Sequence, residues 1–301
     1  MPDATARELG EFGLIARVTE RLGGSAAVLV GPGDDAAVVA APDGRVVATT
    51  DVLVEGVHFR RDWSSGYDVG RKAAAASLAD VAAMGGTATA LLVGLAAPGD
   101  LPVSWALALA DGLRDESALV GAVVAGGDTV SSDRIVVSVS ALGDLAGRSP
   151  VLRSGARAGD LVVLAGDVGR SAAGLALLQA GEREGLLVEA HRRPTPPYSL
   201  GPVLADLGAT AMCDVSDGLL ADLGHVATAS GVAIVVDEVP QPDGVTVEQV
   251  LTGGEDHALV ACLPLGTALP DGIRVIGRVE AGSGVSVPGV EPGSTGWEHF
   301  S

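Results

Sequence analysis

Short apolar runs of strand length alternate with helix-period segments along this chain, and the series occurs twice. That alternation restricts the chain to α/β layers in which helices cover mixed sheets. In the first half, a helix is expected over 8–22, strands at 27–30 and 46–54, and a helix capped by Asp68 and stopped by Gly85 and Gly86. A strand at 88–95, a helix opened by Pro102 and running to Leu119, and strands at 122–125 and 135–142 complete a unit. The polar, turn-rich stretch 148–160 marks a boundary. Beyond it, strands are expected at 161–165, 209–214, 232–236, 258–263 and 275–279, with helices at 170–180, 200–207 and 218–229. At roughly 150 residues per domain, 301 residues divide into domains 1–147 and 148–301.

The strand-like runs end on, or are broken by, aspartates. Asp34 and Asp35 follow the first, Asp51 interrupts Thr49-Thr50-Asp51, Asp128 lies in Gly126-Gly127-Asp128-Thr129, and Asp214 and Asp217 flank Val215-Ser216. Asp80 adds a carboxylate on the otherwise apolar helix 73–84. One Asp beside a Gly is ordinarily a turn or a cap; this series needs another reason. Buried carboxylates near one another cost several kcal/mol each without cations. Between Asp34 and Asp128 the only basic side chains are Arg45, His58, Arg60, Arg61, Arg71, Lys72 and Arg114. Hard divalent cations are the natural partners, and carboxylates with Thr hydroxyls select Mg²⁺ over zinc. Several such ions would recruit a polyphosphate.

Charge supports this and excludes other classes. The formal net charge is −19, opposite to the basic footprint of a nucleic-acid binder. Lysine occurs once, at Lys72, which the pattern places as a solvated helix residue. No GxxxxGK[ST] loop and no VAIK, HRD or DFG signature is present. The 31–36 segment formally fits a dinucleotide GxGxxA turn, but two carboxylates stand where a pyrophosphate would approach and Pro32 removes a donor. Cys213 and Cys262 form no zinc-like cluster. No apolar run reaches a membrane span's length and no signal-peptide pattern opens the chain, so a cytoplasmic protein without membrane partners is expected.

The motifs GDDAA (33–37), TTDVLVEGVHF (49–59), SLADVAAMG (77–85), GGDT (126–129), RSGARAGD (153–160), DVSDGLLADLGH (214–225) and GGED (253–256), in this order, resemble the thiamine-monophosphate kinase family. That family is related to aminoimidazole ribonucleotide synthetase, selenophosphate synthetase and the hydrogenase maturation enzymes. The resemblance implies a two-domain aminoimidazole ribonucleotide synthetase-like fold. Its N-terminal domain binds ATP through metals and pairs in a homodimer; its C-terminal α/β domain closes over the site. The implied activity is direct in-line phosphorylation of thiamine monophosphate by ATP with several Mg²⁺ ions.

Carried over residue by residue, the resemblance makes Asp34, Thr49, Thr50, Asp51, Asp80, Asp128, Asp214 and Asp217 metal ligands, with Asp51, Asp128 and Asp217 central to catalysis. Gly127, Asp128, Arg153 and Ser216 would contact ATP; His58, Glu255 and Trp297 would contact thiamine monophosphate. The chain departs from the family at Ala110-Asp111-Gly112-Leu113, where relatives often carry a nucleotide-contacting aromatic residue before Gly-Leu. The rival enzyme class is another ATP-using synthetase of the superfamily, selenophosphate synthetase-like or hydrogenase-maturation-like. Those enzymes use a cysteine or selenocysteine near a terminus, and the first cysteine here is Cys213. A non-catalytic acidic nucleotide-binding regulator is the remaining alternative.

Overall fold

The computed structural model describes residues 4–30, 37–290 and 296. Asp34 and Trp297 therefore lie outside the described residues. The chain divides into two compact units, 1–81 with 87–146, and 82–86 with 147–301.

The first unit contains α1 (Ala6–Leu9), α2 (Glu11–Thr19), β1 (Val28–Val30), β2 (Val38–Val39), β3 (Val47–Val54), α3 (Gly66–Ala83), β4 (Thr87–Ala97), α4 (Val103–Ala118), β5 (Val123–Ser131) and β6 (Val136–Asp144). The helix expected over 8–22 is broken at Gly10, whose φ of 75° no helix accommodates, so α1 and α2 are separate. The cap of α3 is Ser65 rather than Asp68. Asp68 N–H donates to Ser65 Oγ at 3.2 Å, and Ser65 N–H donates back to the Asp68 carboxylate at 2.9 Å, a reciprocal box that begins the helix one turn earlier.

The main sheet has strand order β3-β6-β4-β5, antiparallel except for the parallel β4–β5 pair. Its rows are fixed: Asp51 pairs with Val139, Val139 with Val93, and Val93 with Gly127. The next row contains Val52, Ser138, Gly94 and Asp128. Gly126-Gly127-Asp128-Thr129 lies inside β5, not beyond a strand ending at Ala125, because the parallel pairing with β4 continues to Ser131.

Helix α3 is held against α4 by direct backbone approach. A Cβ at Gly70 would stand 2.2 Å from Leu109 O, and one at Gly112 would stand 2.2 Å from Tyr67 O. Gly112, in the segment that departs from the family pattern, is therefore set by helix packing. This crossing also directs part of α3 into the protein. Lys72 is 3% exposed, not solvated, because the face of α3 that carries it is turned inward.

The second unit contains β7 (Leu161–Ala165), α5 (Arg170–Gln179), α6 (Leu186–Arg192), α7 (Leu200–Asp206), β8 (Ala211–Val215), α8 (Leu219–Ser230), β9 (Ala233–Val236), α9 (Val247–Thr252), β10 (Ala258–Leu263), β11 (Ile273–Glu280) and β12 (Gly284–Ser286). These form a six-stranded sheet of order β12-β9-β11-β7-β10-β8. Val162, Leu164, Val260 and Cys262 point into one core with Leu219, Leu223 and Leu251. Their neighbours Val163, Ala165, Leu259 and Ala261 enter the other with Leu204 and Met212. Coverage on both faces explains why β7, β8 and β10 read as continuous apolar runs. The short elements α6, α9 and β12 were not expected from the sequence, since runs of three to seven residues carry too little periodicity. No helix among the described residues is long and apolar enough to cross a membrane.

The helix crossing yields a stability test. Gly70→Ala forces a methyl group onto Leu109 O and should lower stability by about 1–3 kcal/mol or more. Gly224→Ala, in α8 with nothing within 4 Å, should instead raise it by roughly 0.5–1 kcal/mol. Urea midpoints of the two variants check both signs.

Candidate functional site

In the first unit, α3 grips β3 with polar side chains. Thr49 Oγ1 donates to the Asp80 carboxylate at 2.5 Å. Ser77, fully buried, donates through Oγ to Asp51 at 2.7 Å and to Val139 O at 2.9 Å. Thr49, Asp51 and Asp80 are thus brought together on the helix-covered side of the sheet. Thr50 alternates to the other side, where Ser140 Oγ donates to its hydroxyl at 3.0 Å. Asp128 is exposed on edge strand β5, three strands from Asp51; at about 4.8 Å per strand, roughly 14 Å of sheet separates them. Gly127 stands beside it in the Asp51 row.

His58 closes the turn after β3. Val54 N–H donates to His58 Nδ1 at 3.0 Å, so Nδ1 carries the lone pair and Nε2 the proton. The imidazole caps the strand end and at the same time becomes an Nε2–H donor. Lys72 Nζ donates to the His58 carbonyl at 3.1 Å.

In the second unit, the loops after β8 and before β10 are pressed together. Glu255 N–H donates to Ser216 O at 2.8 Å and His257 N–H to Val215 O at 2.9 Å. A Cβ at Gly254 would lie 2.2 Å from Ser216 O. Glu255 and His257 both take left-handed backbone angles, φ 65° and 53°, strain of the kind that collects at functional loops. The His257 ring bonds buried Asp214 at 3.0 Å, and the Glu255 carboxylate stands 3.7 Å from His191 Nδ1. Asp217, Asp222 and His225 each offer a ligand atom, all within 4.8 Å of one another. Asp222 accepts from Asp217 N–H and Gly218 N–H, while burial, and then the charge of Asp214, pushes its carboxyl up to about 7. Arg153 is exposed, and its carbonyl accepts from Ser230 Oγ at 3.0 Å. The backbone at Gly296, next to Trp297, lies against Asp217: a Cβ there would be 2.6 Å from Asp217 O.

Ser77, Lys72, Asp222, His225 and His257 were missed by sequence reasoning as site residues. Only Asp222 and His225 had a signal, their helical spacing after Asp217. The start of α5 is occupied by a carboxylate of the chain itself. The Asp256 carboxylate accepts from Gly169 N–H at 2.6 Å and Ser171 N–H at 2.8 Å.

Models of the AIR synthase related protein family match residues 33–145 (N-terminal domain) and 157–288 (C-terminal domain), and with the two units described above they define a two-domain protein of that class. Thiamine-monophosphate kinase of Mycobacterium tuberculosis is 50% identical over 98% of this chain and 93% of its own. A crystal structure of thiamine-monophosphate kinase from Stenotrophomonas maltophilia shares 33% identity at a TM-score of 0.79, covering 92% of this chain and 94% of that one. A structure of AaThiL complexed with AMPPCP and TMP shares 32% identity at a TM-score of 0.79 and covers 98% of both chains. The chain belongs to the thiamine-monophosphate kinase family.

Asp256 gives a pH test. Burial, partly offset by the Ser171 and Gly169 N–H groups, pushes its carboxyl from 3.8 up to about 6. Below pH 4 both folded and unfolded states hold the proton. Between about 4 and 6 only the folded state does, so this group's contribution to stability falls as pH rises through that window. Relative to Asp256→Asn, the unsubstituted protein should lose roughly 3 kcal/mol between pH 4 and pH 7, at about 1.4 kcal/mol per unit. Urea denaturation in excess chelator measures the difference; equal pH dependence would contradict the assignment.

Proposed function

We infer that the chain phosphorylates thiamine monophosphate to thiamine diphosphate at the expense of ATP. The observation that carries this is the near full-length likeness to a structure complexed with AMPPCP and TMP. The chemistry of the residues agrees. The acceptor is a phosphate monoester with a second pKa of about 6, so its attacking oxygen is already ionised at neutral pH and no catalytic base is required. The task that remains is to hold two polyanions in line and neutralise their charge.

The donor sets in both units are hard oxygens: Asp51, Asp80 and Thr49 in the first, with Thr50 on the opposite face of the sheet, and Asp214 and Asp217 in the second. They fit Mg²⁺, and Asp222, raised by burial and then by the charge of Asp214, adds a further hard oxygen in the second unit. Asp34 and Asp128 complete the proposed ligand set. Bound there, several Mg²⁺ ions would supply charge neutralisation and alignment of the phosphates. Ser77 and Thr49 hold the carboxylates of β3 and α3 in fixed orientations. His257 does the same for Asp214. Gly127, Arg153 and Ser216 are assigned to ATP. His58, offering Nε2–H, Glu255 and Trp297 are assigned to the acceptor, with the indole face suited to the cationic thiazolium.

The proposed assembly is a cytoplasmic homodimer. Support comes from the face of the first sheet away from α3, where Val52 is 47%, Leu92 38% and Val130 53% exposed. The 14 Å of sheet between Asp51 and Asp128 is too far for one ion to touch both in a single copy. In the dimer reading, Asp128 serves the site of the partner copy. A cysteine-dependent synthetase is disfavoured: Cys213 and Cys262 are both buried, and burial pushes the Cys262 thiol up to about 12 and that of Cys213 well above its usual value.

Incubation with Mg-ATP and thiamine, thiamine monophosphate or aminoimidazole precursors, followed by mass detection, should give thiamine diphosphate from the monophosphate alone. Asp128→Asn should reduce that turnover at least about a hundredfold in a folded protein. Rapid phosphorylation of free thiamine, or no product from the monophosphate, would overturn the reading.

A further inference from the structure

Lys72 is the only lysine in 301 residues, and an ordinary lysine is solvated. This one is 3% exposed, and its ammonium donates to the His58 carbonyl at 3.1 Å. Burying an ammonium is costly unless bonds to fixed acceptors offset the loss of water. The acceptor here belongs to a turn closed several times over. Val57 N–H and His58 N–H both donate to Val54 O, at 3.1 and 3.0 Å, and Gly56 N–H donates to Phe59 O at 2.8 Å. Val54 N–H in turn fixes the ring through Nδ1. The same helix bonds Asp51 through Ser77 and Thr49 through Asp80. A shift of the turn relative to α3 would therefore move the imidazole relative to the carboxylates.

We propose that Lys72 is a positioning residue for acceptor binding: its ammonium anchors the His58 carbonyl to α3, so that the imidazole presents Nε2–H at a fixed place relative to Asp51 of β3 and Asp80 of α3. A charge-assisted bond is about twice as strong as a neutral one, which suits a lysine to this anchoring. The proposal rests on the reading of His58 as an acceptor contact.

The experiment compares the original protein, Lys72→Met, His58→Ala and the double variant by steady-state kinetics. Lys72→Met should raise KM for thiamine monophosphate by about 5- to 30-fold, leave KM for ATP within twofold, and lower kcat less than threefold. In the His58→Ala background, the same substitution should add less than twofold. If His58→Ala leaves the acceptor KM unchanged, the reading of His58 fails. If His58→Ala raises it while Lys72→Met does not, or if Lys72→Met shifts both KM values together, Lys72 is packing alone and the proposal is overturned. A second test needs no variant: long-range proton–nitrogen NMR of the imidazoles should show His58 as the Nε2–H tautomer, and an Nδ1–H tautomer overturns the proposal.

Discussion

The first unit depends on three polar side chains of α3. Lys72, Ser77 and Asp80 bond the His58 carbonyl, the Asp51 carboxylate and the Thr49 hydroxyl in turn, so the helix runs antiparallel to the order of their partners along β3 and its turn. Each of these contacts orients a residue assigned to phosphate chemistry. The helix can serve this purpose because its N-terminal half is locked to α4 at Gly70, where the two backbones touch. Packing and site geometry are therefore one constraint: loosening the crossing would loosen the carboxylates.

A kinase without a phosphate-loop lysine needs another way to face a triphosphate. This chain, at −19, places its single lysine inward on a backbone carbonyl. Its arginines pair largely with surface carboxylates, such as Arg148 with Asp206 and Arg278 with Asp237. The second unit uses strain instead of helix packing. Left-handed angles at Glu255 and His257 turn one side chain toward His191 and the other onto Asp214, while Asp256 between them anchors the loop to the start of α5. Three consecutive residues thus have three separate tasks.

Much of this was legible in the sequence. The order of the motifs pointed to the family and its two-domain fold, and β7 and β10 were placed at their observed bounds. What was not legible depends on tertiary contact. Lys72 in an alanine-rich helix has no sequence mark of burial, because only the α4 crossing decides which face turns inward. The Gly126-Gly127 pair looked like a strand end, yet the ladder with β4 carries β5 through it. The separation of Asp51 and Asp128 follows from strand order, which local pattern does not encode. Asp256 caps a helix some 85 positions earlier in the chain, a contact that local pattern does not encode.

The central claim is that the nucleotide is held by carboxylates through divalent cations rather than by basic side chains. Calorimetric titration of ATP into the protein, with excess Mg²⁺ and again with excess chelator, tests it most directly. The account predicts binding in Mg²⁺ and a loss of at least about a hundredfold in affinity without it, the scale of removing several charge contacts. Equal affinity in both conditions would contradict it.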